Sequence, residues 1–219
     1  PGNSGIYKLD CSLNGTAIDC SNSVIAPVNL VDGRYTVSVI ATDQANNTSS
    51  PLTYIWNIDR VAPTIQFVKT PALVTSLQTD HFEFIGQDNS SPILGYQCKL
   101  DGETPVTCNT PYEVKNLTPG PHRFEVLAID AANNLSQPIT YNWTVDVMGP
   151  NIVILERPVD HAYGSEDTIH FKVTDDYSQL GSIQCGFEGH LQACKSEETI
   201  NLGILSQGTY KFLITATDS

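Results

Sequence analysis

Basic residues are scarce in this chain: 11 Lys and Arg stand against 24 Asp and Glu, a formal net charge of −13. Nucleic acids and anionic membranes are bound through clustered Lys and Arg, so this balance argues against either partner. No apolar run approaches the ~20 residues of a membrane-spanning helix, and no direct membrane insertion is expected of this segment. Gly-x-Ser-x-Gly, His-Glu-x-x-His, P-loop and dinucleotide-binding glycine motifs are all missing, and no helical period occurs anywhere. The five histidines (His81, His122, His161, His170 and His190) neither recur at equivalent positions nor form a ligand-like group. An enzyme is therefore not expected. No export signal is visible at the amino end; the sequence reads as an excerpt of a longer chain, so export is not contradicted.

What the chain does have is a period. Cys11, Cys98 and Cys185 are spaced by 87 residues, as are Trp56 and Trp143, and Pro63 and Pro150. A fixed period of this length signals a tandem array of small domains, and 87 residues suit one β-sandwich. Each first cysteine has a partner nine or ten residues on, giving the pairs Cys11/Cys20, Cys98/Cys108 and Cys185/Cys194 with none left over. Zinc is the rival reading, but it favours close C-x-x-C or Cys/His knuckles, and none is present. Three disulfides and an oxidising compartment are expected.

The middle period is complete and reads as seven alternating strands. They are Thr64–Val68, His81–Ile85, Tyr96–Leu100, Val106–Cys108, Tyr112–Val114, His122–Ala128 and Ile139–Val145, separated by Pro, Gly, Asn and Asp turns. Residues 1–60 match the later part of this unit and lack its first two strands; residues 148–219 stop before its last strand. The expected architecture is all-β: tandem seven-stranded sandwiches, with residues 61–147 forming a full unit between two partial ones. Only three residues separate Asp59 from Pro63, and Asp146 from Pro150, so a stiff stack is expected rather than beads on a string.

Several stretches then fall into one pattern. They are Tyr96-x-Cys98-x-Leu100-Asp101-Gly102, Leu117-x-x-Gly120-x-His122-x-Phe124-x-Val126-x-Ala128-x-Asp130-x-Ala132 and Tyr141-x-Trp143-x-Val145-Asp146. Leu30-x-x-Gly33-x-Tyr35-x-Val37-x-Val39-x-Ala41-x-Asp43 and Leu205-x-x-Gly208-x-Tyr210-x-Phe212-x-Ile214-x-Ala216-x-Asp218 repeat the second of them. The pattern resembles the bacterial immunoglobulin-like repeats of large exported surface proteins and is similar to fibronectin type III domains. The resemblance implies an extracellular, cell-surface location and a non-catalytic stalk or adhesion segment. Its expected partners are other repeats of the same chain, self-assembly, or another cell's surface. Two alternatives stay open: a fibre or sheath completed by strands from neighbours, and an accessory module of an exported hydrolase. Here the cysteine pair sits on one hairpin instead of bridging two sheets as in antibody domains. Asn46 and Asn133 take the place of glycine in the Asp-x-Ala-Gly-Asn turn.

Acidic residues gather where strands end. Asp43, Asp130 and Asp218 close the long strand; Asp59 and Asp146 sit at the junctions; Asp88 and the pair Asp175-Asp176 follow the second strand. Hard oxygen ligands near a junction suit calcium, and Asp59, Asp88 and Asp146 are the candidate ligands. The competing reading is that these carboxylates cap turns. Asn14, Asn46, Asn47, Asn89, Asn116, Asn134 and Asn142 begin N-x-S/T triplets, which follow from an Asn/Ser/Thr-rich composition. No ligand-binding residue is singled out.

Peptide mapping of the unreduced chain should recover three local cross-links and no others. Replacing Cys98 and Cys108 by serine should lower unfolding stability by roughly 2.5–3 kcal/mol, the loop-closure value for about ten residues, read by denaturant titration.

Overall fold

The structure, a computed structural model, describes residues 5–20, 25, 27–158 and 167–218; His161 lies outside them. Eighteen strands and no helix make up the described residues, so no helix is long and apolar enough to cross a membrane. The first four are β1 (Ile6–Leu13), β2 (Thr16–Ile18), β3 (Gly33–Asp43) and β4 (Leu52–Ile58). Then come β5 (Thr64–Lys69), β6 (Val74–Thr75), β7 (Asp80–Gln87), β8 (Ile93–Leu100), β9 (Val106–Cys108), β10 (Tyr112–Val114), β11 (Gly120–Asp130) and β12 (Ile139–Val145). The last six are β13 (Asn151–Glu156), β14 (Asp167–Thr174), β15 (Leu180–Phe187), β16 (His190–Ala193), β17 (Thr199–Gly203) and β18 (Phe212–Asp218).

Each of the seven strands expected between residues 61 and 147 is present, and with an eighth, β6, they form two facing sheets. One has the order β10-β7-β5, the other β6-β12-β11-β8-β9. The alternation of β11 is strict: Gly120, His122, Phe124, Val126, Ala128 and Asp130 point inward while Pro121 and Arg123 face solvent. Such a period-two pattern can bury only one face, and that face meets the inner side of β7. Phe82 and Phe124 stack across the gap with ring centroids 4.1 Å apart. Trp143 meets Phe82 edge-on at 5.3 Å, and Tyr112 stacks on Phe124 at 5.3 Å. Phe82, Phe84, Phe124 and Trp143 are all buried, each contributing on the order of 2–3 kcal/mol through loss of apolar contact with water.

Backbone chemistry explains the turns. Asp101 and Gly102 both have positive φ, 48° and 79°, the conformation that joins two antiparallel strands tightly; Asn14 and Gly15 repeat it at 47° and 80°. Asn46 and Asn133 reach φ of 63° and 66°, so asparagine supplies the left-handed residue of the turn after the long strand. Gly86 serves packing instead. A Cβ there would stand 3.0 Å from that of Ala128 and 3.2 Å from both Ile93 and Tyr96.

The parallel pairing of β6 with β12 has no precedent in the sequence reading. Two residues are too few to show a period, and their partner lies some 70 residues further on. Before the middle pair in the chain comes one four-stranded sheet, β2-β1-β3-β4, and after it come two three-stranded sheets, β13-β14-β17 and β16-β15-β18. A second buried cluster, of Ile169, Phe171, Val173 and Cys185, joins the last two.

Where a facing strand or sheet is missing among the described residues, the consequence is local. In β11, Gly120–Val126 pairs with β12 and Phe124–Asp130 pairs with β8. The counterpart of that second half is β18, paired with β15, whereas 208–211 forms no strand. Likewise β4 leaves Leu52 and Tyr54 exposed and Trp56 and Ile58 half-buried, while their counterparts in β12 are half-buried at Ile139 and Tyr141 and buried at Trp143 and Val145.

All three cysteine pairs are bonded, with Cα separations of 6.1 Å for Cys11–Cys20, 5.8 Å for Cys98–Cys108 and 6.0 Å for Cys185–Cys194. Cys98 is on β8 and Cys108 on its hairpin partner β9, within one sheet.

Gly86→Val should cost about 1–3 kcal/mol through overpacking between the sheets, and Phe82→Ala about 3–5 kcal/mol through a cavity. Both are read as shifts in denaturant midpoint at unchanged slope.

Candidate functional site

The carboxylates that end strands are first of all turn caps. Asp130 Oδ1 accepts the N–H groups of Ala132 (2.9 Å) and Asn134 (2.8 Å), and its Oδ2 accepts the side-chain amide of Asn134 (2.8 Å). Asp43 repeats the arrangement 87 residues earlier with Ala45 and Asn47. Asp88 Oδ1 takes the N–H groups of Ser90 and Ser91; Asp175 Oδ1 takes those of Tyr177 and Ser178. Asp59 and Asp146 accept Val61 N–H and Met148 N–H, each at 3.0 Å. Short polar side chains bonding main chain two to four residues on are what Asp contributes to a turn.

The fold then gathers these caps into two carboxylate triads. Asp59, Asp88 and Asp130 offer oxygens within 4.8 Å of one another, and so do Asp146, Asp175 and Asp218. The three candidate ligands from the sequence are thus divided: Asp59 and Asp88 share the first triad, and Asp146 belongs to the second. Two oxygens on one calcium ion stand at most about 5 Å apart, because each bond is about 2.4 Å, so the spacing suits such an ion. The residues that complete the triads, Asp130, Asp175 and Asp218, come from strands far along the chain from the junction residues they meet.

Burial alone would raise the Asp130 carboxyl, but the hydrogen bonds from Asn134 and Ala132 outweigh it and hold the group below the ordinary carboxylate value. Asp175 is held low chiefly by the N–H groups of Ser178 and Tyr177. Both are therefore anions at neutral pH.

The first junction is laced by hydrogen bonds. Asn134 Nδ2 donates to the Asp59 carbonyl at 3.1 Å, Asn57 Nδ2 donates to the Ser90 carbonyl at 3.1 Å, and the Ser91 hydroxyl donates to Asp59 Oδ2. Arg60 also turns back to Asp32, Nη1 to Oδ1 at 2.6 Å. At the second junction the Tyr177 ring covers Gly120, and Asp146, Asp175, Asp176 and Tyr177 line a cleft of about 80 Å³.

His122 occupies a corner, as its equivalence to Tyr35 and Tyr210 suggests. Its Nε2 lies 2.7 Å from the Thr118 carbonyl and its Nδ1 2.7 Å from Asp101 Oδ2. Tyr35 reaches back the same four residues to the Val31 carbonyl at 2.9 Å, and Tyr210 to the Ser206 hydroxyl at 2.7 Å. Asp101 thus serves both as a turn residue with positive φ and as the partner of His122, a contact between residues 21 apart that local sequence signals do not carry. His81 lies beside Lys69, Asp80 and Glu83, while His170 and His190 sit on β14 and β16.

No protein-family model matches the chain, and no curated protein matches it. Among solved structures it is similar to the fibronectin(III)-like modules of Clostridium thermocellum CbhA. That likeness has 16% identity, a TM-score of 0.39, and coverage of 74% of this chain and 87% of that one. It is also similar to Bacteroides ovatus SGBP-B of a mixed-linkage glucan utilization locus, solved with a mixed-linkage heptasaccharide. There the identity is 14%, the TM-score 0.21 and the coverage 95% of this chain. The chain spans 54% of that second structure's length. The fold assignment rests on the strand order and the facing sheets described above.

Because the folded-state value of Asp130 is depressed, its stabilising effect is complete above the ordinary carboxylate range and is lost as pH falls through the folded value. Asp130→Asn should therefore flatten the acid limb of a melting-temperature profile taken from about pH 6 to pH 2. Asn134→Ala should cost about 1–3 kcal/mol at neutral pH through the loss of its two acceptors.

Proposed function

We propose that this chain is a non-catalytic stretch of an extracellular array of immunoglobulin-like repeats, divided at residues 1–60, 61–147 and 148–219. It serves as a stalk or adhesion segment of a long bacterial surface protein. The observation that supports this reading is the first junction, where Asn134 and Asn57 donate across the boundary to the main chain of Asp59 and Ser90. A linker of three residues gives little slack, and hydrogen bonds from both sides remove most of what remains. A spacer requires stiffness, solubility and resistance to proteolysis. A locked first junction, a net charge of −13 and a disulfide on each repeat supply these in turn. The disulfides also favour an oxidising, extracellular setting.

A second reading, assembly into a fibre by strand addition, is favoured by one feature. The sheet β2-β1-β3-β4 leaves an apolar hollow of about 470 Å³ lined by Ile25, Pro27, Val37, Tyr54 and Trp56. The counterpart face in the middle sandwich is covered by β7. Strands from a second copy would cover it in the same way.

Small-angle X-ray scattering of the oxidised chain should give the pair-distance profile of a rod, and Asn57→Ala combined with Asn134→Ala should broaden it. A broad, bent distribution for the parent chain would overturn the stalk reading. Sedimentation that stays monomeric to hundreds of micromolar would remove the fibre reading.

A further inference from the structure

The two carboxylate triads are built from matching places in the repeat, Asp59 and Asp146 and Asp88 and Asp175 being 87 residues apart and Asp130 and Asp218 88, but they satisfy their oxygens differently. At the first, both oxygens of Asp59 are occupied, Oδ1 by Val61 N–H and Oδ2 by the Ser91 hydroxyl. Ser178 is the counterpart of Ser91, yet its hydroxyl turns to Asp175 Oδ1 at 3.0 Å. Asp146 keeps the Met148 N–H on Oδ1, but its Oδ2 is sealed from solvent and receives no donor. Asp146 is only 6% exposed, and its carboxylate lies against that of Asp175.

A buried carboxylate oxygen with no donor, packed against a second carboxylate, is electrostatically incomplete. Protein cations do not complete it: no ion pair among the described residues involves Asp146, Asp175 or Asp218. We propose that the Asp146–Asp175–Asp218 triad binds a divalent cation of the calcium type, and that the Asp59–Asp88–Asp130 triad does not. All donors at the second triad are hard oxygens, with no His or Cys among them, which selects against zinc and copper. The adjoining cleft of about 80 Å³ admits the waters that a seven- or eight-coordinate ion requires beyond three carboxylates. Asp146 lies between β12 and β13, Asp175 follows β14 and Asp218 ends β18, so one ion ties three separate segments. The second joint would then stiffen with calcium, while the first is held by protein donors alone. Binding is read by stoichiometry, so the inference stands or falls independently of whether the array acts as a stalk.

Calcium chloride is titrated calorimetrically into the oxidised 219-residue chain and into the matched variants Asp88→Asn and Asp175→Asn, with Asp146→Asn as a third. The parent chain should bind one calcium ion with a dissociation constant on the order of 0.1–1 mM, the range of extracellular modules. Asp175→Asn and Asp146→Asn should each weaken binding about ten-fold or more, and Asp88→Asn should stay within about two-fold of the parent. Terbium, bound at the same site and sensitised by Tyr177 in the cleft, should lose most of its emission in Tyr177→Phe while calcium affinity is kept. Melting curves and intact disulfides establish that each variant is folded; if Asp146→Asn is not, Asp175→Asn still decides. No saturable binding, or affinity unchanged in Asp175→Asn, would overturn the site. Two ions bound, one of them lost in Asp88→Asn, would overturn the contrast between the triads.

Discussion

The stacking of Phe82 on Phe124 is the contact on which the middle sandwich depends. These rings come from different sheets, and Trp143, Tyr112 and Phe67 pack around them. Sheets whose strands alternate strictly cannot be stable alone, because each has one apolar face that water disfavours. Covering β11 and β12 with β7 settles that for residues 61–147, and Gly86 permits the approach by having no Cβ to collide with Ala128. The same logic explains β4 by contrast. It carries the same Tyr-x-Trp alternation as β12, but no sheet faces it among the described residues, so its aromatic side stays open.

Aspartate does two kinds of work in this chain. Locally it caps turns, and the Asp-to-N–H bonds of Asp43, Asp88, Asp130 and Asp175 are all of that sort. Collectively, the fold then crowds the capped turns into triads at the junctions, where like charges must be offset. At the first junction serine and asparagine supply donors; at the second, one oxygen of Asp146 is left without any. Turn capping and the proposed cation binding therefore draw on one set of side chains and are not rival accounts of them.

The corner at His122 shows how a substitution is absorbed. A tyrosine hydroxyl at Tyr35 and an imidazole nitrogen at His122 reach the same kind of acceptor four residues back. The shorter histidine ring leaves its second nitrogen facing Asp101, which belongs to the hairpin turn of the neighbouring strand. Its place in the repeat is the one Tyr35 and Tyr210 hold; the Asp101 contact required the strands to be laid side by side.

Strand positions in residues 61–147, the three cysteine pairs and the left-handed asparagines were all legible in the sequence, because each depends on neighbours within about ten residues. Alternation, spacing and turn chemistry are local, and the 87-residue period repeats them for comparison. The parallel bridge of β6 to β12 and the bond from Asn134 to Asp59 were not legible, since their partners lie some 70 residues away. Nor could the sequence divide Asp59, Asp88 and Asp146 between two triads, or reveal that Ser178 turns from Asp146 toward Asp175. Sequence determined the strands and their turns by itself, because backbone and near-neighbour sterics act over a few residues. Tertiary structure alone decided which carboxylates meet and which of their oxygens lacks a donor, because charge and burial act through space and follow the packing of the sheets.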